Sequence, residues 1–196
     1  MKQGFNVLLV SDVADSTQEI EAGLKESGAF EITHLSVEGN ILKVLGENAF
    51  DLIVLDVKKL TTALFDKFAM VYEFCPKPVV CFSDDRDSKV IAKSVKAGVT
   101  AYIVDGKDAK RMKPIIEVAM ARFNECQLVR KELAQVKDKL SERAVIEKAK
   151  GLLIEKKNMS EDQAYQAMRK MAMDQGKKIS VVAHEVCGVL TGLAYD

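Results

Sequence analysis

Residue types that carry catalysis, metal binding or disulfide bonding are scarce in this chain. Tryptophan is absent, and only two histidines and four cysteines occur among its 196 residues. The cysteines show neither a CxxC motif nor the spacing of metal ligands, which is typical of reduced thiols in a cytoplasmic protein. His34 and His184 stand isolated, with no nucleophile–base constellation around them. We therefore expect no enzymatic activity and no cofactor.

Long apolar runs and a strong net charge are also missing. No run approaches the ~20 apolar residues of a membrane-spanning helix, and the first residues lack the basic and hydrophobic regions of a secretory signal. Lysine plus arginine and aspartate plus glutamate are equal at 29 each, but they are unevenly distributed. Residues 1–106 carry a net charge of −5, and the residues from Ser141 onward carry +1. The first segment is thus a poor surface for RNA and suits protein docking.

Residues 1–106 alternate between apolar runs and helical patterns. Four apolar runs have the composition of strands buried on both faces, and a fifth is weaker. The four runs are 5–10, 52–55, 79–82 and 101–104, and the weaker one is 31–35. The helical patterns between them are 16–27, 39–48, 61–74 and 88–97. This order predicts an α/β domain with a five-stranded parallel sheet and helices on both faces.

Polar residues follow four of these runs where each predicted strand ends. They are Ser11 and Asp12, Asp56, Ser83 and Asp84, and Asp105. Ligands of such sheets bind at the carboxyl ends of the strands. The pattern across 1–106 resembles the receiver domain of response regulators, which implies a flavodoxin-like fold. By that resemblance Asp56 holds the phosphoacceptor position, Asp12 that of a metal ligand, and Ser83 that of the hydroxyl that moves toward the phosphoryl group.

Two residues depart from the receiver pattern. Ser11 stands where that family usually has a second acid, so a Mg²⁺ site at Asp12 and Asp56 is weakened. Asp105 stands where the family has a lysine, and a carboxylate there repels a phosphoryl group. Lys107, two residues further on, could reach inward, although the pattern does not favour it. The resemblance therefore indicates a pseudo-receiver that docks a partner, with a phosphorylation-gated response regulator as the alternative.

The segment that follows has the pattern of one long helix. It contains a single proline, Pro114, and no glycine before Gly151. An apolar stripe alternates spacings of three and four, and its members, called the seam below, are Cys126, Val129, Leu133, Val136 and Leu140. At 1.5 Å per residue, a helix over 113–157 would be roughly 65–70 Å long and needs a partner for its stripe. We expect a parallel homodimeric coiled coil that loosens after Leu140, with folding back onto its own receiver-like domain as the alternative.

The residues from Ser141 onward read as three short helices. Ser160 and Gln163 have the spacing of a capping box that starts the second helix, and Gly176 ends it. Ser180 is placed to cap the third helix. Small residues occupy the expected helix contacts, namely Ala149, Ala164, Ala172 and Ala183. Without further information this pattern indicates a helical dimerisation or docking module.

Four segments of this stretch keep the order and spacing of a known module, namely 141–154, 159–165, 168–173 and 179–183. They resemble the ANTAR domain, an RNA-binding module of bacterial transcription antiterminators. The cations that we predict to contact RNA are Arg143, Lys150 and Arg169, followed by the cluster Lys170, Lys177 and Lys178. Tyr165 is a candidate for stacking on a loop base, with a packing role as its alternative.

The whole chain resembles a regulator with a receiver-like domain over 1–107, a coiled-coil connector over 108–140 and an ANTAR domain over 141–196. The segments 103–106 and 118–123 are similar to those of the NasT-type regulators of nitrate and nitrite assimilation. The resemblance implies binding to a leader mRNA with tandem hexanucleotide-loop hairpins, so that a terminator hairpin does not form. It also implies a nitrate-sensing, NasS-type protein partner that holds the regulator inactive. A protein-docking scaffold without RNA binding is the remaining alternative.

Overall fold

A computed structural model describes residues 4–12 and 17–192 of the chain. The chain falls into two compact units, Met1–Gln127 and Leu128–Asp196. Strands and helices alternate in the first unit, whereas the second is helical. Each unit has its own buried core.

Five parallel strands form the sheet of the first unit. They are β1 (Phe5–Ser11), β2 (Ala29–Ser36), β3 (Leu52–Asp56), β4 (Val79–Ser83) and β5 (Ala101–Val104). Their order across the sheet is β2-β1-β3-β4-β5. Every residue of β3 and β4 is buried because helices cover both faces, which is why these strands read as unbroken apolar runs. The predicted five-stranded parallel sheet is confirmed.

Four helices connect these strands, and they are α1 (Gln18–Glu26), α2 (Ile41–Glu47), α3 (Thr62–Phe74) and α4 (Ser88–Lys96). Alternate strand residues point to opposite faces of the sheet, so the unit has two core layers. Leu8 packs in one layer with Phe68 of α3, and Val7 packs in the other with Ile20 of α1. Ser16, where the first helix is predicted to begin, lies outside the described residues.

A single helix, α5, runs over Ala109–Lys157 and is 49 residues long. Its first turns belong to the first unit, where Met112, Ile116 and Ala119 are buried in the same layer as Val7. The helix begins before residue 113, so Pro114 lies inside it rather than in its first turn. At that depth a proline removes one backbone hydrogen bond of the helix.

The second unit comprises the rest of α5 and two further helices, α6 (Glu161–Gln175) and α7 (Ile179–Thr191). The predicted capping box is confirmed: Ser160 Oγ accepts the N–H of Gln163 at 3.2 Å, and Gln163 Oε1 accepts the N–H of Ser160 at 2.9 Å. Gly176 ends α6 with φ 63°, a left-handed conformation that glycine adopts readily.

The expected start of the third helix is wrong by two residues. Lys178 is the N-cap of α7 and makes no side-chain cap, while Ser180 is buried inside the first turn. The core of the unit is built from small and flexible side chains, namely Val145, Ala149, Met168, Ala172, Val182, Ala183 and Cys187. The alanines predicted at the helix contacts are therefore buried, which lets the three helices approach closely.

Candidate functional site

The polar strand ends of the first unit meet at one edge of the sheet. Ser11 of β1 lies in register with Asp56 of β3, and Asp56 lies in register with Phe82, the residue before Ser83. Asp56 is only 2% exposed, and Ser83 is also buried. A buried carboxylate needs a cation or several hydrogen bonds to remain charged. The surroundings of Asp56 therefore decide what this edge can do.

Lys107 supplies that cation. Its Nζ lies 2.8 Å from Oδ1 of Asp56. The sequence pattern predicts a pocket without a lysine, because Asp105 occupies the position where the receiver pattern has one. That prediction is wrong. The receiver-like pocket has its lysine, contributed from two residues further along the chain.

The conformation of the loop after β5 explains this displacement. Asp105 has φ 50°, in the left-handed region that aspartate tolerates better than most residues. Its carboxylate forms an ion pair with Arg86 instead of entering the pocket. A Cβ at Gly106 would lie 2.7 Å from the Ile103 side chain, so a larger residue there would force Ile103 or the loop to shift. The Asp-Gly-Lys order is thus the signal that could have predicted an inward Lys107.

Asp12 and Ser83 make contacts that hold the loop after β3. Asp12 Oδ2 accepts the backbone N–H of Lys58 at 2.9 Å, and Ser83 Oγ donates to the Lys58 carbonyl at 3.0 Å. A cavity of about 150 Å³ opens beside Ser83, Asp105 and Lys107. Within residues 4–12 and 17–192, no group of three or more histidine, cysteine, aspartate or glutamate residues is arranged to hold a metal ion.

Cys81 lies next to this pocket, and its thiol is unreactive near neutral pH. Burial, and to a smaller extent the nearby charge of Asp56, raise the pKa of the Cys81 thiol far above its ordinary value. Burial also raises the pKa of Tyr102, whose hydroxyl donates to the Asp85 carbonyl at 3.0 Å. Neither group is therefore a nucleophile near neutral pH.

The seam residues of α5 are solvent-accessible in the single chain. Cys126, Val129, Leu133 and Val136 are exposed, and Leu140 is 68% exposed. The alternative, in which the stripe folds back onto the receiver-like domain, remains a prediction. An exposed apolar stripe at heptad spacing is the surface that a coiled-coil partner covers.

Lys150 is bound within the second unit. Its Nζ lies 2.8 Å from Glu147 and 2.7 Å from Glu161, and its side chain is only 12% exposed. The bonds to the two glutamates raise the pKa of Lys150, and the bond to Lys150 lowers the pKa of Glu161. The expectation that Lys150 presents an accessible charge is wrong, because it joins α5 to the first turn of α6.

Two other predicted RNA contacts are also paired with carboxylates. Lys177 lies 2.6 Å from Glu185, and Lys178 lies 3.2 Å from Glu142. These pairs leave little net positive charge at the start of α7. Both lysines remain partly exposed, so they are weaker candidates for phosphate contact than unpaired cations.

The exposed face of α6 keeps its charge. Arg169 and Lys170 are exposed, and neither forms an ion pair with another described residue, as is also true of Arg143 on α5. Tyr165 precedes Arg169 by one helical turn and is 41% exposed, which disfavours a purely packing role. A cation and an aromatic ring on one accessible helical face suit a phosphate and an unstacked base.

Comparison with known proteins defines the class. Residues 134–186 match the ANTAR domain. The chain therefore contains an ANTAR domain, which follows a unit with the receiver fold. Among the described residues, no helix is long and apolar enough to cross a membrane.

Two relatives of this chain are regulatory proteins. It is 29% identical over 185 residues to transcriptional regulatory protein PdtaR of Mycobacterium tuberculosis, which covers 94% of this chain and 90% of the relative. It is 39% identical over 77 residues to the nitrate regulatory protein of Klebsiella oxytoca. That second match covers 39% of this chain and 19% of the relative, so the two share one segment.

A solved structure supports the fold of the first unit. The signal receiver domain of an HD domain-containing protein from Pseudomonas fluorescens has a TM-score of 0.54 and 17% sequence identity. The match covers 65% of this chain and 94% of that domain. At this identity the likeness concerns the fold alone.

Proposed function

We propose that this protein is a cytoplasmic, RNA-binding regulator of transcription antitermination. Its ANTAR domain would bind tandem hairpins in a leader mRNA and keep a terminator hairpin from forming. The observation that carries the proposal is the exposed face of α6 within the ANTAR match, where Arg169, Lys170 and Tyr165 are accessible. Cations there attract phosphates, and the ring is available to a loop base.

Two hairpins call for two ANTAR domains, and we propose that a homodimer presents them. The exposed seam supports this proposal because a parallel coiled coil would cover its apolar side chains. Burial of one leucine contributes roughly 1.5–3 kcal/mol. Leu133 and Leu140 alone thus give the dimer a substantial driving force.

For the first unit, we propose a docking role toward a nitrate-sensing protein of the NasS type. One observation supports the docking role, and a second suggests the target genes. The charge of −5 over 1–106 disfavours contact with RNA and suits a protein surface. The segment shared with the nitrate regulatory protein of Klebsiella oxytoca suggests nitrate or nitrite assimilation genes as the target.

A direct test uses fluorescence anisotropy with a synthetic RNA carrying two hairpins with six-nucleotide loops. The sequence of this RNA would be that of the leader upstream of the gene cluster that encodes this protein. We expect tight binding, and loss of binding when both loops are replaced by unrelated sequences with the stems kept. Equal binding to both RNAs would contradict sequence-specific recognition, and no binding to either would favour the protein-docking scaffold.

A second candidate is a response regulator gated by phosphorylation. The ion pair between Lys107 and Asp56 favours it, because a lysine at this distance would also pair with an acyl phosphate on Asp56. Incubation with acetyl phosphate and Mg²⁺ followed by intact-mass spectrometry distinguishes the two. A phosphoryl group that is absent from the Asp56→Asn variant would support gating.

A further inference from the structure

An open groove lies between α5 and α7 within the second unit. Its volume is about 310 Å³. Each helix lines it with residues spaced i, i+3, i+4 and i+7, so one face of each helix borders the groove. None of the cations predicted from the sequence to contact RNA lines it.

Small residues at the middle of both faces keep this groove open. Ala144 and Val145 lie at the middle of the α5 face, and Cys187 and Gly188 lie opposite on α7. Val145 and Cys187 are buried and form an apolar floor, whereas Ala144 is accessible. The two helices therefore leave between them a space with an apolar floor that opens to solvent.

Two polar side chains lie at the rim of the groove. Lys148 ends the α5 face, His184 begins the α7 face, and both are exposed. Neither forms an ion pair with another described residue, in a unit where Lys150, Lys177 and Lys178 are all paired. The groove thus combines an apolar floor with one available ammonium group and one imidazole.

These features match the parts of a nucleotide. A base has a flat apolar face and a hydrogen-bonding edge, and its phosphate is anionic. An apolar partner helix would gain nothing from a free ammonium and an imidazole at the rim. A lone inorganic anion would gain nothing from the apolar floor.

We propose that this groove is a subsite for one unstacked base of a single-stranded RNA loop. The base would lie on Val145 and Cys187, the Lys148 ammonium would contact its phosphate, and the His184 imidazole would hydrogen-bond its edge. The inference rests on the proposed RNA binding and adds a base-specific site to the electrostatic contacts of α6.

The test fills the groove without removing a charge. Ala144→Leu places a larger side chain over the floor at an accessible helical position, where leucine is a good helix former. Ala134→Leu is the matched control, because Ala134 is exposed on the same helix away from the seam. Full-length proteins are titrated against the two-hairpin RNA described above, and against versions in which each loop position in turn is abasic.

We expect Ala144→Leu to weaken binding by about tenfold, toward the lower end of what one base stacked on an aromatic ring contributes, because the floor is aliphatic. Ala134→Leu should bind as the wild type does. At one loop position, an abasic RNA should bind the wild type about as weakly as the intact RNA binds Ala144→Leu. The same abasic RNA should bind Ala144→Leu no more weakly than the intact RNA does. His184→Ala should show the same insensitivity to that position, which keeps the test decisive if Ala144→Leu fails to fold by circular dichroism.

Three other results would overturn the inference. If the folded Ala144→Leu variant binds as tightly as the wild type, the groove holds no base, and RNA binding itself stands. If every abasic position weakens wild type and variant by the same factor, the loop is read elsewhere. If the wild type binds no hairpin RNA at all, the proposed function fails together with the subsite.

Discussion

Lys107 and Asp56 form an ion pair of 2.8 Å, although Lys107 lies two residues beyond the position where the receiver pattern has a lysine. The pair is possible because Asp105 adopts a left-handed conformation and turns toward Arg86. The pocket therefore holds a lysine beside its buried aspartate, although the lysine comes from a different position in the sequence. Several properties of the first unit depend on this pair.

Lys107→Ala should destabilise the first unit, because the buried Asp56 carboxylate loses its cation. Removal of one partner of a buried charged hydrogen bond costs about 1–3 kcal/mol. Urea denaturation of the full chain measures it, with the exposed Lys110→Ala as the control. The double variant with Asp56→Asn should recover part of the loss, since no charge is then left buried. Equal stability of the wild type and Lys107→Ala would contradict the pair.

RNA binding should not depend on a phosphoryl group at Asp56. Asp12 already accepts a backbone N–H, and Ser11 replaces a second acid, so Mg²⁺ has few charged ligands there. We expect Asp56→Asn, which keeps the shape of the side chain, to bind the two-hairpin RNA with nearly unchanged affinity before and after treatment with acetyl phosphate. A large loss of affinity in a folded variant would favour the phosphorylation-gated regulator.

Dimerisation should require the seam. Leu133→Asp combined with Leu140→Asp places unpaired charges between the helices and should shift the sedimentation mass from dimer to monomer. The control is Lys131→Asp with Ala134→Asp, which alters outward positions of the same helix. Mild oxidation gives an independent readout, because in a parallel coil Cys126 faces its twin and should crosslink, whereas Cys126→Ser should not. An unchanged mass for the leucine variant would refute the coil.

The contact between Lys150 and Glu161 should make the second unit sensitive to acid. Lys150 lowers the pKa of Glu161 below its ordinary value of 4.5. A carboxylate with a lowered pKa stabilises the folded state at pH values above 4.5 and loses that contribution as the pH falls through the lowered value. The difference in melting temperature between the wild type and Glu161→Gln should therefore shrink as the pH falls below 4.5.

Asp162→Asn is the control for this effect, because Asp162 lies in the same first turn of α6 and forms no ion pair with another described residue. Like Glu161, the native Asp162 interacts favourably with the helix N-terminus, but Asp162 does not bond to Lys150. If both variants show the same pH dependence, the helix terminus and not the lysine is responsible.

Patterns of hydrophobicity predicted the fold well, because buried strands and helix caps leave local signals. The runs at 52–55 and 79–82 become strands buried on both faces, and Ser160 caps α6 through Gln163. The inward reach of Lys107 escaped prediction because it depends on the turn at Asp105 and the space at Gly106. Matching this sequence to the receiver pattern residue by residue does not reveal that turn.

The charged surface of the second unit was the least predictable part. Lys150 and Arg169 look alike in sequence, yet one is held by Glu147 and Glu161 and the other is exposed. Which cation meets a carboxylate depends on how three helices pack, and no local spacing encodes the contact from Lys150 to Glu161. The groove beside Lys148 and His184 arises in the same way, from facing stripes on helices distant in sequence.

The most direct test of RNA recognition by α6 is the salt dependence of RNA affinity. Three proteins are titrated with the two-hairpin RNA at several salt concentrations. They are the wild type, the α6 variant Arg169→Ala with Lys170→Ala, and a control variant. The control carries Lys131→Ala and Lys137→Ala, at exposed positions of the connector. Each lost phosphate contact should reduce the slope of log affinity against log salt by about one. We predict weaker binding and a shallower slope for the α6 variant alone. Unchanged affinity and slope in that variant, with folding intact, would contradict RNA recognition by this face of the ANTAR domain.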